Sequence, residues 1–217
     1  MPERLDRKFF ARGAIELAAE LIGRRLVRVL PRGDRLSGVI VETEAYVGVQ
    51  DRASHAYGGR CTPRNRSMYG PPGTAYVYFT YGMHHCMNVV CGKEGEPAAV
   101  LIRAAKPIEG LGHMQVLRGR GTIEPTELCS GPGKLCQAMQ IDRTLDGIDL
   151  VNSSELFLEI EGEGPISAIG ITRGPRIGLG DVGSWAKRRL RWYVSDSPYV
   201  SGGSRKRSPF RGGRNRG

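Results

Sequence analysis

Acidic residues are in short supply in this sequence: 22 aspartates and glutamates stand against 32 lysines and arginines, giving a net charge of +10 and a pI near 9.7. That balance points to a polyanionic partner, nucleic acid first among them. Long apolar runs are missing too. None approaches the roughly 20 residues of a membrane span, and no membrane partner is expected. The amino terminus, MPERLDRKFF, lacks the apolar core of a secretory signal. The expected location is intracellular: the cytoplasm or nucleoid of a bacterium, or the nucleus of a eukaryote. Cysteine is sparse and odd in number, with five residues (Cys61, Cys86, Cys91, Cys129 and Cys136) in no spacing typical of a disulfide framework. Reduced thiols are expected. His84, His85, Cys86 and Cys91 crowd together, but the C-x2-C pairs of structural zinc sites are absent, and no metal or other cofactor is expected. Aromatic residues make up only 7% of the chain, which gives weight to any place where they gather.

What is present suits a globular domain. Hydrophobic residues account for 40% and charged residues for 25% of 217 positions, enough chain to bury a core without disulfide or metal staples. No repeat, linker or second composition regime interrupts residues 1–203, which read as one domain. Residues 204–217 differ. RKRSPFRGGRNRG, from Arg205 to Gly217, holds six Arg or Lys and no acid, and leaves the rest of the chain at +4. Its Gly, Ser and Arg content cannot build a core, so a disordered arm that tracks phosphates is expected.

ARGAIELAAELIG sets Ala14, Leu17, Ala18 and Leu21 at helical spacing and stops at Gly23. RLVRVL, the turn PRGD and RLSGVIVETEAYVG read as a hairpin whose second strand ends near Tyr46. Residues 48–73 are rich in Gly, Pro, Arg and Asn without periodicity, and a loop of that length inside a domain is usually functional. TAYVYFTYGMHHCMNVV then predicts an aromatic hairpin with Tyr76 and Tyr78 on one face and Tyr81 at the tip beside Gly82. Tyr76 and Phe79 read as core rings. AAVLIRAAKP predicts a strand, SGPGKLCQAMQI a short helix, and RIGLG and LRWYVSDSP two late strands. The fold class is α+β: a single domain with a curved, mainly antiparallel sheet, flanking helices and a protruding β-hairpin.

The informative residues are polar ones in apolar strands. VIVETEAY carries Glu42 and Glu44 in a β-branched run, and alternation puts both on one face. A carboxylate against an apolar wall holds its proton more tightly, the condition for a general base near neutral pH. Glu42 is expected to face solvent at a strand end. Two carboxylates so placed also suit a sugar hydrolase, and the aromatics with the basic tail suit a non-catalytic nucleic-acid-binding module. The residue types leave these readings open. His55 and the arginines of PRNR (Pro63–Arg66) occupy the long loop, and arginine supplies a charged fork for phosphate oxygens.

Six motifs in order, VETEAYVG, DRASHAYGGR with TPRN, AYVYFTYGMHHCMNV, LIRAAKPIEG, LCSGPGKLCQA and RIGLG, run from Val41 to Gly180 within the stretch Phe9 through Tyr199. In them the chain resembles the alkyladenine (3-methyladenine) DNA glycosylases of the human and bacterial single-domain type. The resemblance implies a monofunctional DNA glycosylase, a monomer without cofactor. It would flip alkylated or deaminated purines out of duplex DNA and hydrolyse the N-glycosidic bond, the first step of base excision repair. By likeness, Glu44 activates the attacking water, and Arg103 and the backbone carbonyl of Ile177 help to hold it. Tyr46, His55 and Tyr78 surround the extruded base, Asn88 crowds the 2-amino group of guanine, and Tyr81 fills the gap left in the duplex. Arg60, Arg64 and Lys134 are expected on the DNA backbone. Cys61 and the segment CGKEGEP depart from the family pattern without touching these motifs. Glycosylases that use an amino-terminal proline end in a four-cysteine zinc finger, and here no cysteine follows Cys136.

Overall fold

A computed structural model describes residues 3–119, 121–160 and 170–202; the arm expected at 204–217 lies outside the described residues. The chain begins with α1 (Arg7–Phe10), whose first turn is capped by the Asp6 side chain accepting from the Phe9 amide. The predicted amphipathic helix follows as α2 (Ala14–Glu20) and buries Ala14, Leu17 and Ala18, the spacing of one helical face. Next come β1 (Arg25–Val29) and β2 (Arg35–Tyr46), the expected hairpin, with Arg25 opposite Val39. Residues 48–73 contain no strand, only two short 3-10 turns. The aromatic hairpin is β3 (Ala75–Thr80) and β4 (His84–Cys91), closed by pairing of Thr80 with His84. Strand β5 (Ala98–Glu109) leads into α3 (Leu111–Arg118), α4 (Pro125–Leu128) and α5 (Pro132–Ala138). The short strands β6 (Leu156–Glu159), β7 (Ile171–Gly174) and β8 (Arg191–Val194) complete the described chain.

All eight strands join one antiparallel sheet in the order β3-β4-β5-β2-β1-β6, with β8 pairing both β2 and β7. The twelve-residue β2 is its axis. Along one edge it pairs β5; along the other its first half pairs β1 and its second half pairs β8. Near the change of partner the register slips: Ile40 pairs Ala105 and Glu42 pairs Ala104, leaving Val41 unmatched, then Thr43 pairs Ile102, leaving Arg103 unmatched. Bulges of this kind bend a strand and re-aim its side chains. Helix α2 packs on β2 and β5, and α5 on β4 and β5. Phe10, Leu17, Leu21, Ile40, Met87 and Ile102 are wholly buried in the main core. Gly73 shows how tightly the loop is drawn against it: φ is +88°, and a Cβ there would lie 2.8 Å from the Phe10 ring.

Two expectations are corrected here. RIGLG is not a strand: β7 ends at Gly174, and Arg176–Gly180 is a bend. Nor is Phe79 a core ring: it is 45% exposed and lies against His85, with centroids 5.0 Å apart.

Candidate active site

Glu44 sits near the carboxyl end of β2, is 0% exposed, and is touched from three sides. The Tyr46 hydroxyl, one alternation further along the strand, donates to Glu44 Oε2 at 3.0 Å. The Ile177 amide donates to Oε1 at 2.7 Å, and Arg103 Nη1 lies 3.2 Å from the same oxygen. Burial pushes the Glu44 carboxyl above its ordinary range, opposed by Arg103, the Ile177 amide and Tyr46 and assisted by the nearby Glu42. Burial opposes the Arg103 charge, but Glu44 and Glu42 outweigh it and raise its pKa. Tyr46, half-buried in the cavity floor and beside Glu44, is held protonated by desolvation and by the Glu44 charge.

The sequence reading places the carbonyl of Ile177 in the site; the contact made to Glu44 is by its amide. The bend that delivers this amide is pinned by the preceding residue. Arg176 is wholly buried and forms a two-pronged pair with Asp51, 2.6 and 2.8 Å, while donating to the Ala45 carbonyl at 2.9 Å. Its guanidinium lies 4.6 Å over the Tyr46 ring. Asp51 in turn accepts from the Val47 and Ala53 amides. One buried ion pair therefore ties the long loop, the end of β2 and the Ile177 bend together.

In front of Glu44 opens a cavity of about 870 Å³. Its floor contains Tyr46, Arg103 and Ile177, so the groups that touch Glu44 line the cavity while Glu44 lies behind them. Its walls are aromatic. The His55 and Tyr78 rings meet edge to face at 4.6 Å, and Tyr76 and Tyr78 lie 5.3 Å apart. His55 Nδ1 is 2.7 Å from the Tyr76 hydroxyl; Tyr76 is almost fully buried, as a core ring would be, yet it also lines the cavity. Burial, with Arg64 nearby, lowers the His55 pKa and keeps the ring neutral. Burial likewise raises Tyr76 and Tyr78 and keeps their hydroxyls protonated. Asn88 is buried on β4 and commits its amide nitrogen to the Tyr76 carbonyl at 3.1 Å. The loop carrying His55 is fastened by Asn65, which donates to the His55 and Arg60 carbonyls.

The rim supplies charge and a probe. Arg60 and Arg64 line the cavity mouth, with Arg64 5.5 Å over the Tyr78 ring. Tyr81 stands at the tip of the β3–β4 hairpin, 79% exposed, with φ of 51° beside Gly82 at 68°. Lys134 is not among the lining residues; it pairs with Glu127 and donates to Ser130 Oγ. Glu42 is the clearest correction: it is wholly buried rather than solvent-facing, and accepts from Arg103, Arg191 and Ser201. Among the described residues no three His, Cys, Asp or Glu side chains group as a metal site.

This combination, a buried carboxylate behind an aromatic cavity with a projecting tyrosine beside it, coincides with the matches to known proteins. The sequence model of the methylpurine-DNA glycosylases matches residues 8–198. The chain belongs to the methylpurine-DNA glycosylase family. It is 47% identical over 207 residues to a human DNA-3-methyladenine glycosylase, covering 91% of this chain and 68% of that one. It is 49% identical over 205 residues to a putative 3-methyladenine DNA glycosylase of Methanocella arvoryzae, covering 94% and 97%. A mouse DNA-3-methyladenine glycosylase is 46% identical, and this chain spans 61% of it.

Seen as a member of this family, the chain holds site residues that sequence reasoning passed over. Asp51 and Arg176 open the DRASHAYGGR and RIGLG motifs, but neither was assigned a part in the site; the available signal was a charged residue at the head of each of the two loops that meet behind Tyr46. Cys86 lines the cavity on β4, and burial raises its thiol pKa. Asn65 closes the TPRN motif, but only the arginines beside it were given a role.

Proposed function

We propose that this protein is a monofunctional DNA glycosylase that releases alkylated or deaminated purines of the 3-methyladenine type from duplex DNA, beginning base excision repair. The observation that carries the reading is the Glu44 site: a wholly buried carboxyl with a raised pKa, held by Arg103 and the Ile177 amide behind an aromatic cavity. In this mechanism Glu44 accepts a proton from a water held among Arg103, Ile177 and Tyr46. The water oxygen bonds to the sugar C1′ as the bond from C1′ to the base nitrogen breaks, and the electron pair leaves with the purine. A purine made cationic by alkylation departs readily and is attracted to the faces of Tyr78 and His55, since aromatic faces draw positive charge. A base stacked inside a duplex is out of reach of such a cavity, so the nucleotide must be flipped out at a cost of a few kcal/mol. Tyr81 enters the vacated space. Asn88 crowds the 2-amino group that guanine carries and adenine lacks. Arg60 and Arg64 hold the backbone beside the cavity, Lys134 contributes from α5 once drawn from Glu127, and the Arg-rich arm adds contacts that read no sequence. The protein acts as a monomer inside the cell and needs no cofactor.

The paired-carboxylate hydrolase is disfavoured by Glu42, whose oxygens are taken up by Arg103, Arg191 and Ser201. The test is incubation with methylated duplex DNA, scored for free bases and for strand breaks at abasic sites. Free 3-methyladenine with no borohydride-trapped protein–DNA adduct is the expected result. A trapped adduct would show an amine nucleophile in place of water, and no release at all would leave a binding module.

A further inference from the structure

The proposed reaction gives Glu42 nothing to do, yet the chain spends a bulge and the end of its fold on it. Glu42 Oε1 accepts from Arg103 Nε at 3.1 Å, Arg191 Nε at 2.6 Å and Ser201 Oγ at 2.9 Å; its Oε2 accepts from the Ser201 amide at 2.8 Å. Arg103 is the common element. Its Nε is on Glu42, its Nη2 donates to Ser201 Oγ at 3.3 Å, and its Nη1 lies 3.2 Å from Glu44. A guanidinium is a rigid planar fork, so fixing two of its nitrogens fixes where the third points. Ser201 is brought there by the chain beyond β8, which folds back so that Val200 packs against Val41 and Ala104. These are the neighbours of the slipped register on β2 and β5.

We propose that Glu42 and Ser201 form a clasp that positions Arg103 against Glu44, making Glu42 a positioning residue for base release. The inference rests on reading Glu44 as the general base. Groups facing Glu44 are Tyr46 and Glu42 from its own strand, Arg103 from β5, Cys86 from β4, and Arg176, paired with Asp51, behind Tyr46; Arg191 from β8 acts through Glu42. Removing the Glu42 charge deletes a repulsion on Glu44 and the second anion that shares the Arg103 charge, which lowers the Glu44 proton affinity. It also takes away the hold on Arg103 Nε and so disturbs the site where water is held.

The experiment is single-turnover base release from methylated duplex DNA by the full chain, measured across pH for Glu42→Gln, Ser201→Ala, Glu44→Gln and the double variant at both glutamates. For Glu42→Gln the plateau rate should fall about tenfold or more, and the acid limb, where the rate drops as the base protonates, should move to lower pH. Ser201→Ala keeps the Glu42 charge and the amide contact to it but loses one hold on Arg103, so its plateau rate should fall by less while its acid limb stays near that of the unaltered chain. Adding Glu42→Gln to Glu44→Gln should cost nothing further, because groups that act as a unit are not additive. A Glu42→Gln variant with a lowered melting temperature and an unmoved acid limb would reduce Glu42 to a structural ion pair. Full additivity in the double variant would do the same. If Glu42→Gln does not fold, Ser201→Ala decides alone, and an unchanged plateau rate overturns the clasp. Activity surviving in Glu44→Gln is a separate failure, that of the general-base reading itself.

Discussion

Burial is what distinguishes Glu44 from a surface carboxylate, and it has a sign in solution. Because burial holds the proton on Glu44 to higher pH than usual, and a general base works only when deprotonated, release should decline on acidification at a pH above the roughly 4.3 of an ordinary glutamate. Tyr46→Phe should move this acid limb upward, since the Tyr46 hydroxyl favours the charged carboxylate; a limb that stayed put in a pH series would deny Tyr46 that role. Glu44→Gln keeps the shape without the proton acceptor and should lose about 10²–10⁴-fold in release rate with duplex binding intact, as single-turnover kinetics and gel-shift titration will show. Asp51→Ala tests the pin behind the site. Stranding the wholly buried Arg176 should cost about 3–5 kcal/mol of folding stability, read by denaturant unfolding, and should release the Ile177 bend. Glu44 was conspicuous in the sequence because a carboxylate interrupts a β-branched run, and the fold buries it beside Tyr46, Arg103 and Ile177. Glu42 interrupts the same run, and its partners, Arg191 and Ser201, lie about 150 residues away in sequence. Long-range pairing of that kind leaves no local trace, so its burial could not be read. Asp51 and Arg176 escaped notice for the same reason.

At the scale of elements, the β3–β4 hairpin is built around a compromise. Its two central turn residues both have positive φ, 51° at Tyr81 and 68° at Gly82, the geometry of the tight hairpin turn that favours Asn-Gly. Gly82 fits it without strain. A tyrosine at such a φ carries a backbone cost of about 1–2 kcal/mol and, at 79% exposure, recovers little by packing. Strain retained in an exposed aromatic is a mark of use. Tyr81→Asn should therefore leave the melting temperature unchanged or raise it. The same variant should weaken flipping by roughly the 1–3 kcal/mol that one aromatic–base stack is worth, lowering release from duplex DNA. A marked drop in melting temperature with normal release would return Tyr81 to a structural role. The hairpin was readable because aromatic alternation and a following glycine are local signals, as were β2, β5 and α2. RIGLG was misread as a strand for the converse reason: its apolar and glycine alternation imitates one, while the backbone is held in a bend by the Arg176–Asp51 pair. Phe79 was misread because alternation assigns a face but not whether anything covers it.

For the whole molecule the question is how much of the charge serves the site. Arg60 and Arg64 sit at the cavity mouth, whereas Arg205 to Gly217 carry six of the positive charges and none of the motifs. A cationic arm that neutralises phosphates displaces counterions, and each phosphate so neutralised adds about 0.9 to the slope of log affinity against log salt. Deleting residues 205–217 leaves Ser201 and its hold on Glu42 in place, so the chemistry behind the cavity should be untouched. Binding to damaged and undamaged duplex should weaken together, the salt slope should flatten by up to about 0.9 for every phosphate the arm no longer neutralises, and release from saturated complex should stay close to that of the full chain. Titrations at several salt concentrations, paired with single-turnover release, separate these quantities. Should the truncated protein instead keep its salt slope and change its preference among damaged purines, the arm would belong to recognition, and base selection would have to be sought outside the Tyr78, His55 and Asn88 walls.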